Sequence, residues 1–199
     1  MVITNNTLPT VDAGSAVCAT GSVDLDGTVS GSFSGSPSDI FTEAQSESAS
    51  YSGETALADP NWSSSDNWKG NTSSTQSDDT GPNGPKYGTD YIYYEASGSG
   101  NSGGTYTLTS SNITASGISI DFWFHAYGSG ITNFKLESYD GSSWTQRWIV
   151  TGQQHGSNGA AWTNVTVNLA NYTVTKLRFR LTNSSFMSDI ALDGINVTS

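Results

Sequence analysis

The chain of 199 residues has a single cysteine, Cys18. An intrachain disulfide and a cysteine-based metal centre are therefore both excluded. Basic residues are scarce as well. Seven Lys and Arg stand against 18 Asp and Glu, for a formal net charge of −11. Such a balance repels polyphosphate and anionic lipid, so nucleic acid is not an expected partner and neither is direct membrane insertion. No run approaches the roughly 20 apolar residues of a membrane helix. Stretches rich in Ala, Leu, Glu and Lys are missing, and little or no helix is expected. There is no Gly-x-Ser-x-Gly elbow, no His-Glu-x-x-His pair and no phosphate-binding glycine loop, so these signatures of enzymes are not in play.

What remains is Ser, Thr, Gly and Asn, with an aromatic share of 11%. The small polar residues favour turns and strands over helix interiors. Six Trp, nine Tyr and seven Phe are enough to fill a core and still leave rings at the surface. An exported domain of this size without disulfide staples points to a bacterial source and a secreted or cell-surface location. Met1-Val2 lacks the pattern of a leader, so an export signal is expected outside this stretch.

Alternation of period two marks the strands. Tyr91-Ile92-Tyr93-Tyr94 is an aromatic strand, and Thr105 to Leu108 alternates. Ile118 to Phe124 puts every second residue on one face and Trp123 on the other. Phe134 to Tyr139, the turn Asp140-Gly141 and Trp144 to Val150 read as a hairpin. Trp162 to Leu169, Lys176 to Leu181 and Ile190 to Val197 complete the series. Eight or more short strands with turn chemistry between them predict an all-β, jelly-roll-like antiparallel β-sandwich with long polar loops. The polar segment 46–84, which carries Trp62 and Trp68, is expected to form long ordered loops across one end or edge. Residues 1–38 hold too little apolar content for a core of their own. They read as a linker or a partial Ig-like repeat, with 39–199 as the sandwich.

Several stretches, in order, resemble the MAM domain (meprin, A5 antigen, receptor phosphatase mu). They are Trp68, Thr80-Gly81-Pro82, Gly88 before Tyr91 to Ser97, and Gly103-Gly104 leading to Leu108 and Ser110. Next come Ile120-Asp121-Phe122-Trp123-Phe124-His125-Ala126-Tyr127-Gly128, then Trp148, Gly152 and Trp162, and finally Asp189-Ile190-Ala191-Leu192-Asp193-Gly194-Ile195. The paired cysteines of animal members are absent, and Gly194 stands where the terminal signature has a second acidic residue. The resemblance implies a non-catalytic adhesion module of a larger extracellular protein. The alternative is a carbohydrate-binding module of an adhesin or secreted hydrolase. Val11-Asp12-Ala13-Gly14 and Val23 to Thr28 resemble the start of the PKD/Ig-like repeats of large bacterial surface adhesins, among them gliding-motility adhesins.

Candidate site residues follow from residue type and place. The resemblance implies a structural cation, best a Ca²⁺, at Asp193, with Asp39, Glu43 or Asp90 within reach; oxygen ligands suit that ion. Trp62 and Trp144 fall in polar or turn-rich surroundings and are candidate ligand-facing aromatics, whereas Trp148 and Trp162 are expected in the core. His125 and His155 are the two residues that a hydrolase would need as a base. A surface polysaccharide or another surface protein is the expected partner.

Overall fold

The structure is a computed structural model and describes residues 39–42, 49–50, 54–57 and 59–199, with side chains from Ala56 onward. The expectations for residues 1–38 and for Glu43 lie outside the described residues. The strands are β1 (Asp39–Thr42), β2 (Ala49–Ser50), β3 (Glu54–Ala56), β4 (Trp62–Ser63), β5 (Trp68–Asn71), β6 (Tyr91–Tyr94) and β7 (Thr105–Ser110). They continue as β8 (Ser119–Ala126), β9 (Ile131–Tyr139), β10 (Trp144–Thr151), β11 (Thr163–Asn168), β12 (Lys176–Asn183) and β13 (Ile190–Thr198). No helix occurs among the described residues.

These strands build two antiparallel sheets, as the alternation predicts. The eight-stranded sheet runs β11-β8-β13-β6-β5-β3-β2, with β1 also on β13, and the five-stranded sheet runs β10-β9-β12-β7-β4. Each strand expected between residues 91 and 197 is present, with ends displaced by a few residues. The segment 46–84 differs from expectation. It contributes four short strands, β2 to β5, besides loops. The Trp68-Lys69-Gly70-Asn71 stretch shows no apolar alternation, yet its backbone pairs with β6 in register Trp68↔Tyr94 to Asn71↔Tyr91. Ladder bonds come from main chain, which sequence patterning does not report.

The inward faces meet in one aromatic core. Phe122 lies edge-on to Phe179 at 4.9 Å and to Trp148 at 5.3 Å, and Tyr94 stacks on Tyr106 at 4.5 Å. Burying a Phe or Leu side chain contributes about 1.5–3 kcal/mol each, so this layer dominates the stability of the sandwich. Along β12 the pattern is strict: Leu177, Phe179 and Leu181 are buried, while Lys176, Arg178 and Arg180 point the other way, half-exposed. Strand β13 is central. It pairs with β8 on one side and with β6 and β1 on the other. Its register against β8 shifts between Asp193 and Asn196. Gly194 sits in that bulge at φ +58°, and a Cβ there would come within 3.3 Å of Trp123 and 3.4 Å of Tyr87. A bulge with left-handed backbone under an aromatic pair favours glycine, which explains the departure from an acidic residue at this position.

Candidate functional site

The two sheets differ in what lies on their outer faces. The eight-stranded sheet is roofed over its middle, while Asp121, Asn164 and Thr166 at the β11 edge meet solvent. Its outward residues on β6, β8 and β13 include Tyr91, Tyr93, Trp123, His125, Ala191 and Asp193, and segments 72–90 and 152–162 close over them. Asp193 is 3% exposed, and its Oδ2 accepts the backbone N–H groups of Lys86 (2.6 Å) and Tyr87 (2.9 Å). The Tyr87 ring stands edge-on to Trp123 at 5.7 Å, and the Lys86 ammonium lies 4.2 Å over the Trp123 ring. Tyr91 donates its hydroxyl to the Ser73 carbonyl at 2.7 Å. The two roof segments join where Asn83 N–H donates to the Asn158 carbonyl at 3.0 Å. A shallow depression at that junction is lined by Asn83, Pro85, Asn158 and Trp162.

Both histidines lie beneath this roof. His125 is fully buried and stacks on His155, with centroids 4.4 Å apart and planes 16° from parallel. The Nδ1 of His155 accepts the Ala126 N–H at 2.9 Å. Its proton therefore sits on Nε2, which donates to Thr163 Oγ1 at 3.2 Å. A ring that donates to a hydroxyl is not a base poised to take that hydroxyl's proton. Burial, followed by the adjoining His155, pushes the His125 pKa down to about 4. The carbonyls of Ser157 and Ala160 offset part of this, although neither ring nitrogen makes a well-formed hydrogen bond. Burial also lowers the pKa of His155. The pair is neutral packing material at neutral pH, and nothing in its geometry sets up the nucleophile activation a hydrolase requires.

Of the residues expected to hold a cation, Glu43 lies outside the described residues and only the backbone of Asp39 is described. Among the described residues no group of three or more His, Cys, Asp and Glu is placed to bind a metal ion. Asp193 instead anchors the roof through two backbone amides. Asp39 is paired by backbone with Thr198 near the end of β13, and Asp90 precedes β6 at intermediate burial.

The outer face of the five-stranded sheet is open. Across it run Trp144, Gln146 and Ile149 of β10, Lys135, Glu137 and Tyr139 of β9, Lys176, Arg178 and Arg180 of β12, and Thr107 and Thr109 of β7. All but Glu137 are half-exposed or exposed. Cross-strand register sets Trp144 beside Tyr139 and Glu137 beside Arg178. The Trp144 and Tyr139 rings lie 5.0 Å apart at 33°, and the Arg178 guanidinium sits 4.1 Å over Trp144. Glu137 is 6% exposed because the arginines cover it. Its Oε2 accepts from Arg178 Nε at 2.6 Å, and Oε1 lies 3.6 Å from Arg180 Nη1.

Of the two tryptophans expected to face a ligand, Trp144 lies on this open face, half-buried under Arg178. Trp62 does not. It is 1% exposed, and its ring packs 5.3 Å from Phe179 in the core. The polar residues around Trp62 in sequence belong to a two-residue strand, so only one side chain of the segment is sent inward. Trp148 points into the core as expected, whereas Trp162 packs 5.8 Å from Tyr91 under the roof rather than between the sheets. The charged residues of the open face were missed by attending to total charge, although Lys176-x-Arg178-x-Arg180 in an alternating strand already placed three cations on one side.

A sandwich with the middle of one face closed by its own loops and the other face left open, with aromatic and charged side chains in rows, has the form of a β-sandwich binding module. Residues 44–199 match the family model of the MAM domain, meprin/A5/mu, and the chain belongs to that family. Among solved structures, the K2 cleaved adhesin domain of Lys-gingipain aligns at TM-score 0.56 with 18% identity, over 80% of this chain and 97% of that domain. The K1 cleaved adhesin domain of the same protein, from Porphyromonas gingivalis, aligns at TM-score 0.50 with 18% identity, over 75% and 95%. These likenesses bear on the fold. No curated protein matches the chain in sequence.

Proposed function

We propose that the chain is a non-catalytic adhesion and binding module of a secreted bacterial surface protein, with the outer face of the five-stranded sheet as its contact surface. The observation that carries this reading is the contrast between the faces. Loop segments occupy the middle of the larger sheet's outer face and leave small polar side chains (Asp121, Asn164 and Thr166) at its β11 edge, while the smaller sheet presents half-exposed aromatic and charged side chains to solvent. Surface polysaccharide is favoured over a protein partner by the Trp144–Tyr139 pair, two adjoining rings set among hydrogen-bonding groups. Sugar rings present an apolar face and a polar rim, which such a surface complements.

The test is retention of the whole chain on a glycan array and on immobilised surface polysaccharide, in Ca²⁺ and again in EDTA. Specific retention without release of hydrolysis products is expected. Loss of retention in EDTA would tie the contact to a bound cation, and equal retention in the two buffers would separate it from one. Trp144→Ala is expected to weaken retention by about tenfold, through loss of the ring that supports both Tyr139 and the Arg178 guanidinium. Turnover of any glycan, or retention on no glycan and no surface component, would refute the reading.

A further inference from the structure

The distribution of charge on the open face is at odds with the chain as a whole. The protein carries seven basic residues and 18 acidic ones. Four of the seven, Lys135, Lys176, Arg178 and Arg180, stand on the outer face of β9 and β12, where among the described residues the single carboxylate between them is Glu137. Asp66 and Asp140 lie at the margins, one beside β7 and the other in the β9–β10 turn, each engaged by backbone N–H groups. Lys135 is the direct cross-strand partner of Arg180. Like charges side by side across a ladder destabilise a sheet, so the fold alone does not favour this arrangement. We propose that this face binds a carboxylate-bearing polysaccharide, a polyuronate, laid along β12 with its sugar rings against Tyr139 and the exposed edge of Trp144. The proposal rests on the binding-module reading above and names its ligand class.

Three features support it. First, Lys176, Arg178 and Arg180 form a row with about 7 Å between successive side chains on one strand face, a regular ladder suited to a polymer with regularly repeated charge. Second, Glu137 takes the Nε of Arg178 and leaves the two Nη nitrogens uncommitted among the described contacts. A guanidinium held at one edge is pre-oriented to donate from its other edge to a planar carboxylate. Third, the rings of Trp144 and Tyr139 adjoin the row, so charge and ring recognition fall on one strip of surface. A nucleic acid fits less well. Duplex DNA carries one charge per ~1.7 Å and extends beyond a single sheet face onto the acidic remainder of the chain.

The experiment measures binding of the whole chain to polygalacturonate by calorimetry. The same polymer with its carboxylates reduced to alcohols, and a single-stranded oligonucleotide, serve as comparisons. Binding to polygalacturonate at low salt is expected, at least about tenfold tighter than to the reduced polymer and weakened by high salt. The variant Lys135→Gln/Lys176→Gln/Arg180→Gln removes three half-exposed charges and gives up the 3.6 Å Arg180–Glu137 contact, while the Arg178–Glu137 bond stays in place. It is expected to lose polygalacturonate binding by about tenfold or more while the chain stays folded, with a cooperative thermal transition shifted by no more than a few degrees. Arg180→Lys is expected to recover part of the loss. Equal binding of the acidic and reduced polymers overturns the proposal and leaves the module reading standing, as does undiminished binding by the triple variant. Oligonucleotide binding as tight as polygalacturonate binding overturns it in favour of general polyanion capture. Retention on no glycan and no surface component removes both readings.

Discussion

Acidification is expected to unlock the roofed face, because His125 must take up a proton there without water to solvate it. In the folded chain its pKa lies near 4, against 6.5 for a free histidine. A folded pKa below the unfolded one means that the unfolded chain binds the proton more readily. The stability His125 contributes in its neutral form is then fully present above about pH 6.5 and is lost as pH falls towards 4. The difference corresponds to about 3 kcal/mol at 1.36 kcal/mol per pH unit, a large fraction of the stability of an ordinary domain. The lowered pKa of His155 acts in the same direction. The assay is urea unfolding of the native chain and of His125→Phe, whose ring keeps the stack on His155 and Trp162, at a series of values from about pH 7.5 to 4. Protonating carboxylates affects both proteins alike, so the gap between the two curves isolates His125. Native stability is expected to fall by about 3 kcal/mol more than that of the variant. Parallel curves, or a His125 resonance that titrates near 6.5 in the folded chain, would refute the reasoning.

Two further substitutions separate packing from anchoring. Trp62→Ala is expected to cost about 3–5 kcal/mol in urea unfolding, because it empties the space against Phe179. Asp193→Ala leaves the amides of Lys86 and Tyr87 without their acceptor. It is expected to cost about 1–3 kcal/mol and to raise hydrogen exchange across residues 84–90, with the core strands unaffected.

The strands of the sandwich were legible wherever a strand has one wet face and one dry one. Lys176 to Leu181 and Phe134 to Tyr139 alternate because each borders solvent on one side, and the structure gives them that place. Tyr91 to Tyr94 reads as an aromatic strand without alternation, and it is buried on both faces, by the core and by the roof. The short strands β2 to β5 were not legible, since two to four residues are too few to show a period and their bonds are main-chain. Trp62 misled for the same reason: its neighbours are polar, and neighbours in sequence say little about a side chain that turns inward alone. Asp193 showed its importance but not its partner, because the amides it caps come from residues more than 100 positions earlier. The basic face was present in the sequence as an every-second-residue pattern, hidden beneath a net charge of −11.

The pairing of Asp39 with Thr198 sets how the sandwich responds to force. The strands β1 and β13 run antiparallel, and the outer ends of both lie at one corner. A pull applied at residues 39 and 198 opens that ladder from its end, one residue pair after another, instead of shearing every pair at once. The first strand peels away at low load, while the layers of aromatic packing between the sheets carry none of the tension until it has gone. The open face belongs to the other sheet, so its rows of side chains keep their spacing while this ladder opens.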